Sequence, residues 1–162
     1  MALFNVDEIY EMARQIERNG SAFYRKAADK ADTEAQTELF QQLAAMENDH
    51  ERTFAQMQAA AKTAAHTPPA YDPEDLAVRY LQAFVSGHVF DVTADPAEFL
   101  DIMPDMKAIL KKAIQLEADS VLFYLGVKSM VEAGPAAHSI GDIIEQEMGH
   151  IAQLNEQLKG LP

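Results

Sequence analysis

Four long stretches of this 162-residue sequence combine a helical spacing of apolar residues with an absence of helix breakers. The clearest runs from Glu34 to about Ala65 without a proline or a glycine. A helix of this kind must bury its apolar stripe against other elements, and no alternating strand pattern offers a sheet for it to pack on. The sequence therefore predicts an all-α protein in which the long helices cover one another.

The predicted helices fall into two pairs, separated by a connection of about 40 residues. The expected spans are Asn5–Asp29 with Asn5 or Asp7 as N-cap, the residues after Thr33 up to about Ala65, a short helix Glu74–Val89, then Pro104–Ala133 and Ala136–Leu158. Prolines 68, 69 and 73 end the second helix, and residues 91–101 are rich in turn formers. This order is typical of a four-helix bundle with one long crossover carrying a short helix, and we expect a single domain over residues 1–162.

The apolar seam of every long helix is interrupted by a glutamate, and two of the helices add a histidine one turn later. The residues concerned are Glu17 in the first helix, Glu47 and His50 in the second, Glu117 in the third, and Glu147 and His150 in the fourth. Each lies at the steps of three and four residues that mark the buried stripe. These six side chains are therefore predicted to lie inside the bundle.

Four buried carboxylates would repel one another strongly unless they were protonated or paired. No basic residue lies on the same seams to pair with them. Two divalent cations would balance four glutamates, and neutral imidazoles would complete the coordination. Because the chain has no cysteine, any metal must be held by oxygen and imidazole ligands. The sequence thus predicts a dinuclear metal site, and the alternative is a set of buried polar groups satisfied by one another.

The two halves of the chain repeat this pattern. Thirty residues separate Glu17 from Glu47 and also Glu117 from Glu147, and Tyr24 and Tyr124 each follow the leading glutamate by seven residues. An offset of 100 residues relates the halves, which indicates an old internal duplication. Each tyrosine is either an ordinary core aromatic or a hydrogen-bond donor that orients a ligating carboxylate.

At these residues the sequence resembles the ferritin-like di-iron carboxylate superfamily, and within it most closely the small rubrerythrin-like proteins that lack a rubredoxin domain. The resemblance covers nearly the whole chain. It implies that Glu17 and Glu117 are terminal ligands, that Glu47 and Glu147 bridge both metals, and that His50 and His150 bind one metal each. It also implies two iron ions as the cofactor, with Mn or Zn as substitutes.

The chain departs from its relatives at several of these positions. Rubrerythrins carry a further glutamate where this chain has Ser120, and they usually carry a four-cysteine iron site, so the resemblance implies a separate electron-donor protein here. Bacterioferritins place an acidic residue before each bridging glutamate, where this chain has Met46 and Gln146. Gly20 and Ser120 either allow close helix packing or leave space for dioxygen or peroxide beside the metals.

The other histidines and several acidic residues do not belong to the repeated glutamate and histidine pattern. His66, His88 and His138 have no ligand partner at helical spacing and are expected in surface or capping roles. Asp49, Glu51 and Glu145 are expected to be solvated or interface charges, although Asp49 could orient a histidine. Eight methionines are expected as core fillers.

The net charge of -13 argues against binding to nucleic acid or to an anionic membrane surface. No apolar run reaches the roughly 20 residues that a membrane-spanning helix needs, and we expect a cytoplasmic protein. The leading hypothesis is a redox enzyme or ferroxidase that uses Fe(II) with O2 or H2O2, with homodimerisation implied by the resemblance. The alternatives are a bundle in which the metals are only structural and a metal-free helical scaffold.

Overall fold

The computed structural model describes residues 6–63, 76–85, 95–131 and 133–162. Its five α-helices are α1 (Val6–Asp29), α2 (Glu34–Thr63), α3 (Leu76–Val85), α4 (Met106–Met130) and α5 (Pro135–Lys159), and a short 3₁₀ helix spans Pro96–Asp101. There is no strand among the described residues. The prediction of an all-α bundle with a short helix in the crossover is confirmed.

Helix ends are set by local capping groups, and these correct two of the predicted boundaries. Helix α4 begins at Met106 and not at Pro104, because the Asp105 side chain accepts a hydrogen bond from the Ala108 amide (2.8 Å) and so caps it. It ends at Met130, short of the predicted Ala133, because Val131 takes an extended conformation. For α2, the Thr33 hydroxyl accepts from the Gln36 amide at 3.2 Å.

The 3₁₀ helix lies where the sequence predicted only turns. Asp95 caps it by accepting a hydrogen bond from the Ala97 amide at 2.8 Å, and Pro96 occupies its first turn. An aspartate followed by proline is a helix-start signal that could have identified it. The predicted N-cap Asn5, the end of the second helix at Ala65 and the outer parts of Glu74–Val89 lie outside the described residues.

Neighbouring long helices run antiparallel. The amide of Gln58, near the end of α2, donates to the carbonyl of Asp7 at the start of α1 (3.1 Å). Paired contacts run in opposite order along the other helices as well: from α1 to α4, Glu17 contacts Tyr124 and Tyr24 contacts Glu117. From α2 to α5, Met46 contacts His150 and His50 contacts Gln146. Each long helix therefore has two antiparallel neighbours around a shared interior.

That interior consists of two apolar clusters, one towards each end of the bundle. One includes Ile9, Phe54, Phe123, Val127 and Ile140; the other includes Phe23, Phe40, Leu43, Leu110 and Leu154. The crossover covers both, since Leu81 and Phe84 of α3 belong to the first and Leu100 of the 3₁₀ helix belongs to the second. None of the helices in the described ranges is long and apolar enough to cross a membrane.

Candidate metal centre

All six of the predicted ligand side chains meet midway between the two apolar clusters. Glu17 comes from α1, Glu47 and His50 from α2, Glu117 from α4, and Glu147 and His150 from α5. Each is at most 4% exposed. Helical periodicity places each glutamate on the inner face, and in α2 and α5 it places the histidine three residues later on that same face.

Their donor atoms form two overlapping groups, each with its atoms within 4.8 Å of one another. One group contains Glu17 and His50, the other contains Glu117 and His150, and both contain Glu47 and Glu147. Two carboxylates are thus shared, whereas each remaining carboxylate and imidazole belongs to a single group. This is the donor arrangement that two adjacent cations require.

Several of these buried atoms lack a hydrogen-bond partner among the described residues. They are Glu17 Oε2, Glu47 Oε1, both carboxylate oxygens of Glu147, and the Nδ1 atoms of His50 and His150. Leaving buried polar atoms unpaired costs free energy, so such atoms are rare in native proteins. All six are metal-ligating types and face the same cluster, so the donor set fits a pair of metal ions held by oxygen and imidazole.

Glu147 lies closest to both histidines. Its Oε1 is 3.0 Å from His50 Nδ1 and its Oε2 is 2.8 Å from His150 Nδ1, although neither contact has the orientation of a hydrogen bond. His50 Nδ1 also lies 3.5 Å from Glu17, and His150 Nδ1 lies 3.5 Å from Glu117. Each imidazole therefore turns Nδ1 towards the carboxylates and Nε2 away from them.

Burial dominates the electrostatics of the other three glutamates. It raises the pKa of Glu17 and Glu47 well above the ordinary 4.5, and the negative charge of Glu147 raises both further. Burial and the same neighbour raise the pKa of Glu117 to about 8. Without metal, Glu117 is therefore predominantly protonated at neutral pH, and the raised pKa values of Glu17 and Glu47 favour their protonated forms as well.

The histidines and Glu147 form the charged part of the metal-free cluster. Burial by itself would lower the pKa of both imidazoles, but the adjacent carboxylates raise it to about 9 for His50 and about 10 for His150. Burial would raise the pKa of Glu147, but its contacts with His150 and His50 hold it at about 2. In the metal-free chain, protons on the imidazoles and on neighbouring carboxyl groups thus offset the buried negative charge, and metal ions would displace these protons.

Both predicted tyrosines donate hydrogen bonds to carboxylates of the cluster. Tyr24 on α1 donates to Glu117 on α4, and Tyr124 on α4 donates to Glu17 on α1. Burial raises the pKa of both hydroxyl groups well above the ordinary 10, so both keep the proton that they donate. Each tyrosine thus contacts the leading glutamate of the opposite half of the chain.

The outer nitrogen of each histidine contacts a residue that sequence reasoning did not assign to it. His50 Nε2 lies 3.1 Å from Gln146 Oε1, and His150 Nε2 lies 3.3 Å from the sulfur of Met46. Met46 and Gln146 directly precede Glu47 and Glu147 in their own helices but contact the histidine of the facing helix. Both residues lie one turn before a histidine of their own helix, and this spacing was the only sign in the sequence that they could contact an imidazole. The spacing does not show that the contacted histidine belongs to the facing helix.

A cavity of about 450 Å³ opens beside the cluster between α1, α4 and the 3₁₀ helix. Its lining includes Glu47 and Glu117 from the cluster, and Gly20 and Ser120 beside them. A Cβ atom at position 20 would lie 3.0 Å from Glu47 Oε2, so the glycine allows the carboxylate to approach α1 closely. Gly20 thus allows close packing, and both Gly20 and Ser120 border open space.

The remaining candidates lie away from the cluster. Asp49 is exposed and pairs with Arg52, and Glu145 is exposed. Glu51 forms ion pairs with Arg14 (2.8 Å) and Arg18 (3.2 Å) on the outside of α1 and α2. His138 is exposed, 3.7 Å from Asp142, whereas His66 and His88 lie outside the described residues.

Comparison with known proteins agrees with this geometry. A solved structure from Thermotoga maritima, assigned provisionally to the ferritin-like diiron-carboxylate proteins, shares the fold with a TM-score of 0.71 and 24% identity, over 99% of this chain and 98% of that one. No curated protein matches the chain significantly. The sequence profile of the Rubrerythrin family matches residues 8–158, a range that contains all six buried ligand candidates. A bundle with this carboxylate and imidazole cluster, matched over nearly its whole length, belongs to the rubrerythrin family.

Proposed function

We propose that this chain is a dinuclear iron-binding redox protein that oxidises Fe(II) or reduces O2 or H2O2, in iron handling or protection against oxidative stress. Glu17 and Glu117 would be terminal ligands, Glu47 and Glu147 would bridge, and His50 and His150 would each bind one ion through Nδ1. Bound iron would supply the electrons that reduce the oxidant, which no side chain of this cluster supplies.

The single observation that carries this proposal is the set of buried donor atoms without hydrogen-bond partners among the described residues. These atoms belong to two groups that share Glu47 and Glu147. Two Fe²⁺ ions would neutralise the four carboxylates and occupy the unpaired donor positions of both histidines. Iron is the proposed metal because the family match and the oxygen-rich donor set favour it, and Mn or Zn could replace it.

The residues around the centre fit a reaction with a small oxidant. The cavity beside Gly20 and Ser120 gives O2 or H2O2 a route to Glu47 and Glu117. The hydroxyl groups of Tyr24 and Tyr124 would hold the two terminal carboxylates in a fixed orientation. The apolar clusters on both sides limit the access of water to the centre.

Three features of the function are carried over as proposals from the family resemblance. The chain has no cysteine, so a rubredoxin-type iron site is absent and the electrons would come from a separate donor protein. We further propose a homodimer in the cytoplasm. Light scattering of the purified protein tests the homodimer.

Anaerobic loading with Fe(II), followed by O2 or H2O2 in separate mixing experiments, tests the redox function. We expect two Fe(II) per chain and a rise in near-ultraviolet absorbance as the iron is oxidised. A much faster response to H2O2 would favour a peroxidase, and a fast response to O2 would favour a ferroxidase. Two bound irons with no oxidation by either reagent would contradict the redox proposal.

A second candidate is a bundle in which the metals are purely structural. The observation that favours it is the position of the cluster, which joins all four long helices between the two apolar clusters. In that case metal removal would unfold the chain, and loaded iron would not react with either oxidant. The loading experiment combined with thermal unfolding of the metal-free chain separates the two functions.

A further inference from the structure

We infer that the two metal positions are unequal: the position at His50 holds its ion firmly, and the position at His150 holds an exchangeable ion that enters through the cavity. This inference rests on the proposed metal centre and extends it. It assigns a role to Gln146 and Met46, which contact the histidines and do not belong to the donor groups.

The contact between His50 and Gln146 prepares the imidazole for a metal. The Gln146 amide oxygen, 3.1 Å from Nε2, accepts the Nε2 hydrogen, so the proton that a metal ion would displace is the one on Nδ1, which faces the carboxylates. Such an outer hydrogen bond fixes the tautomer and ring orientation of a ligating histidine and raises its basicity. His50 therefore keeps Nδ1 as the nitrogen that would bind a cation.

The contact between His150 and Met46 gives much weaker support. The sulfur atom lies 3.3 Å from Nε2, and a thioether is a weak hydrogen-bond acceptor. Met46 is half-buried, so its side chain also limits the access of water to this nitrogen. The tautomer and orientation of His150 are consequently less firmly set than those of His50.

The rest of the ligand set is matched between the two positions. Each position has one terminal glutamate that accepts a hydrogen bond from a tyrosine, and both positions share the same two bridging carboxylates. The difference in the outer partners of the histidines is thus not offset by any difference in ligand type. The expected gap in affinity between the two ions is about tenfold, the lower end of the usual effect of such partners, because Gln146 is exposed.

The cavity reaches the weaker position. Its lining includes Glu117 and the tyrosine that donates to it, Tyr24, whereas the described lining includes neither Glu17 nor either histidine. Glu47, which both donor groups share, also lines the cavity, so Glu117 is the residue that distinguishes the two positions. An ion held by Glu117 and His150 would therefore lie nearer the open space than an ion held by Glu17 and His50. The position whose histidine has the weaker outer hydrogen-bond partner is therefore also the position that the cavity reaches.

Titration of the metal-free full-length chain with Co²⁺, followed by calorimetry and visible absorption, tests this inference. Co²⁺ is a suitable probe because its affinity for such sites is close to that of Fe²⁺ and it resists oxidation by air. We expect two binding steps that differ about tenfold in affinity. His50→Ala should abolish the tighter step, whereas His150→Ala should leave one tightly bound ion per chain.

A reciprocal pair of variants tests the cause, since methionine and glutamine have similar lengths. Met46→Gln should tighten the second step towards the first, and Gln146→Met should weaken the first by about tenfold. Met46→Leu, which offers no acceptor either, should not tighten the second step. Circular dichroism checks that each variant keeps its helices, and Met46→Gln gives a gain of affinity that a damaged fold would not produce.

Equal affinity of the two steps in the unaltered chain would overturn the inference while leaving the proposed metal centre intact. An unchanged second step in Met46→Gln would also overturn it. If the unaltered chain bound no Co²⁺, the metal centre itself would be wrong, and this inference would be wrong with it.

Discussion

Tyr124 donates a hydrogen bond to the carboxyl group of Glu17, a residue 107 positions earlier in the chain. The two residues lie on α4 and α1, and both are almost completely buried. Tyr24 and Glu117 form the matching contact in the opposite direction between the same two helices. The two halves of the sequence are therefore joined through the carboxylate cluster, with a tyrosine of each half donating to a carboxylate of the other.

Replacing Tyr124 by phenylalanine should weaken metal binding with little change in helix content. The substitution removes only the donor, so the buried Glu17 carboxyl group loses its hydrogen bond at a cost of about 1–3 kcal/mol in unfolding free energy. Loss of the orienting contact should reduce the affinity for Co²⁺ about tenfold or more. Tyr80→Phe is the matched control, because it removes a 2.7 Å hydrogen bond to the Leu122 carbonyl, away from the cluster. Equal Co²⁺ affinity in the two variants would refute the orienting role of Tyr124.

Glu147→Gln should prevent the binding of a metal pair. The carboxylate lies within 3.0 Å of Nδ1 of both histidines, and it belongs to both donor groups. A glutamine offers one oxygen and one NH2 group, so it cannot bridge two cations. The iron content measured after loading should fall from two ions per chain to one or fewer. Glu145→Gln, an exposed residue on the same helix, should keep both ions; retention of two ions by both variants would contradict the assignment.

The stability of the metal-free chain should fall as the pH rises above neutrality. The folded chain raises the pKa of His50 to about 9 and that of His150 to about 10, from an ordinary 6.5. Both imidazoles bind a proton more tightly in the folded chain than in the unfolded chain, so their contribution to stability is fully present below pH 6.5. This contribution is lost as the pH rises past about 9 for His50 and about 10 for His150. Glu117, with its pKa raised to about 8, acts in the same direction from pH 4.5 upwards.

Thermal unfolding of the metal-free chain between pH 6.5 and pH 10 measures this effect. The melting temperature should fall across that range, and bound metal should reduce the fall because the ions replace the protons. At the acidic end Glu147 acts in the opposite direction, since its lowered pKa of about 2 means that its contribution is lost as the pH drops from 4.5 towards 2. A metal-free chain with constant stability from pH 6.5 to pH 10 would contradict this account.

Gly20→Ala should disturb the centre although it adds only a methyl group. Its Cβ would lie 3.0 Å from Glu47 Oε2 and 3.2 Å from Glu47 Cδ, so the Glu47 carboxylate would have to shift. We expect weaker metal binding and no net gain in stability. Gly149→Ala is the control, because its Cβ meets nothing within 4 Å and the change should stabilise the helix by about 0.4–1 kcal/mol. A similar stabilisation by Gly20→Ala, with unchanged Co²⁺ affinity, would show that Glu47 yields without cost.

Sequence periodicity was sufficient for the helices and for the inward direction of the six ligand candidates. Within the described residues, α1 ends at the predicted Asp29 and α5 is one residue longer at each end than predicted, whereas the Asp105 cap and the extended Val131 make α4 shorter than predicted. The 3₁₀ helix over Pro96–Asp101 was missed because six residues are too few to show a helical period. Its start signal, an aspartate followed by proline, was present in the sequence.

The sequence by itself determined which residues lie on each inner face, because the spacing of side chains along one helix is fixed by 3.6 residues per turn. Only the tertiary structure decided which faces meet: that Tyr24 donates to Glu117, that Gln146 contacts His50 and Met46 contacts His150, and that the cavity reaches one side of the cluster. Contacts between helices depend on the path of the crossover and on the packing of all four helices together, which no local pattern contains.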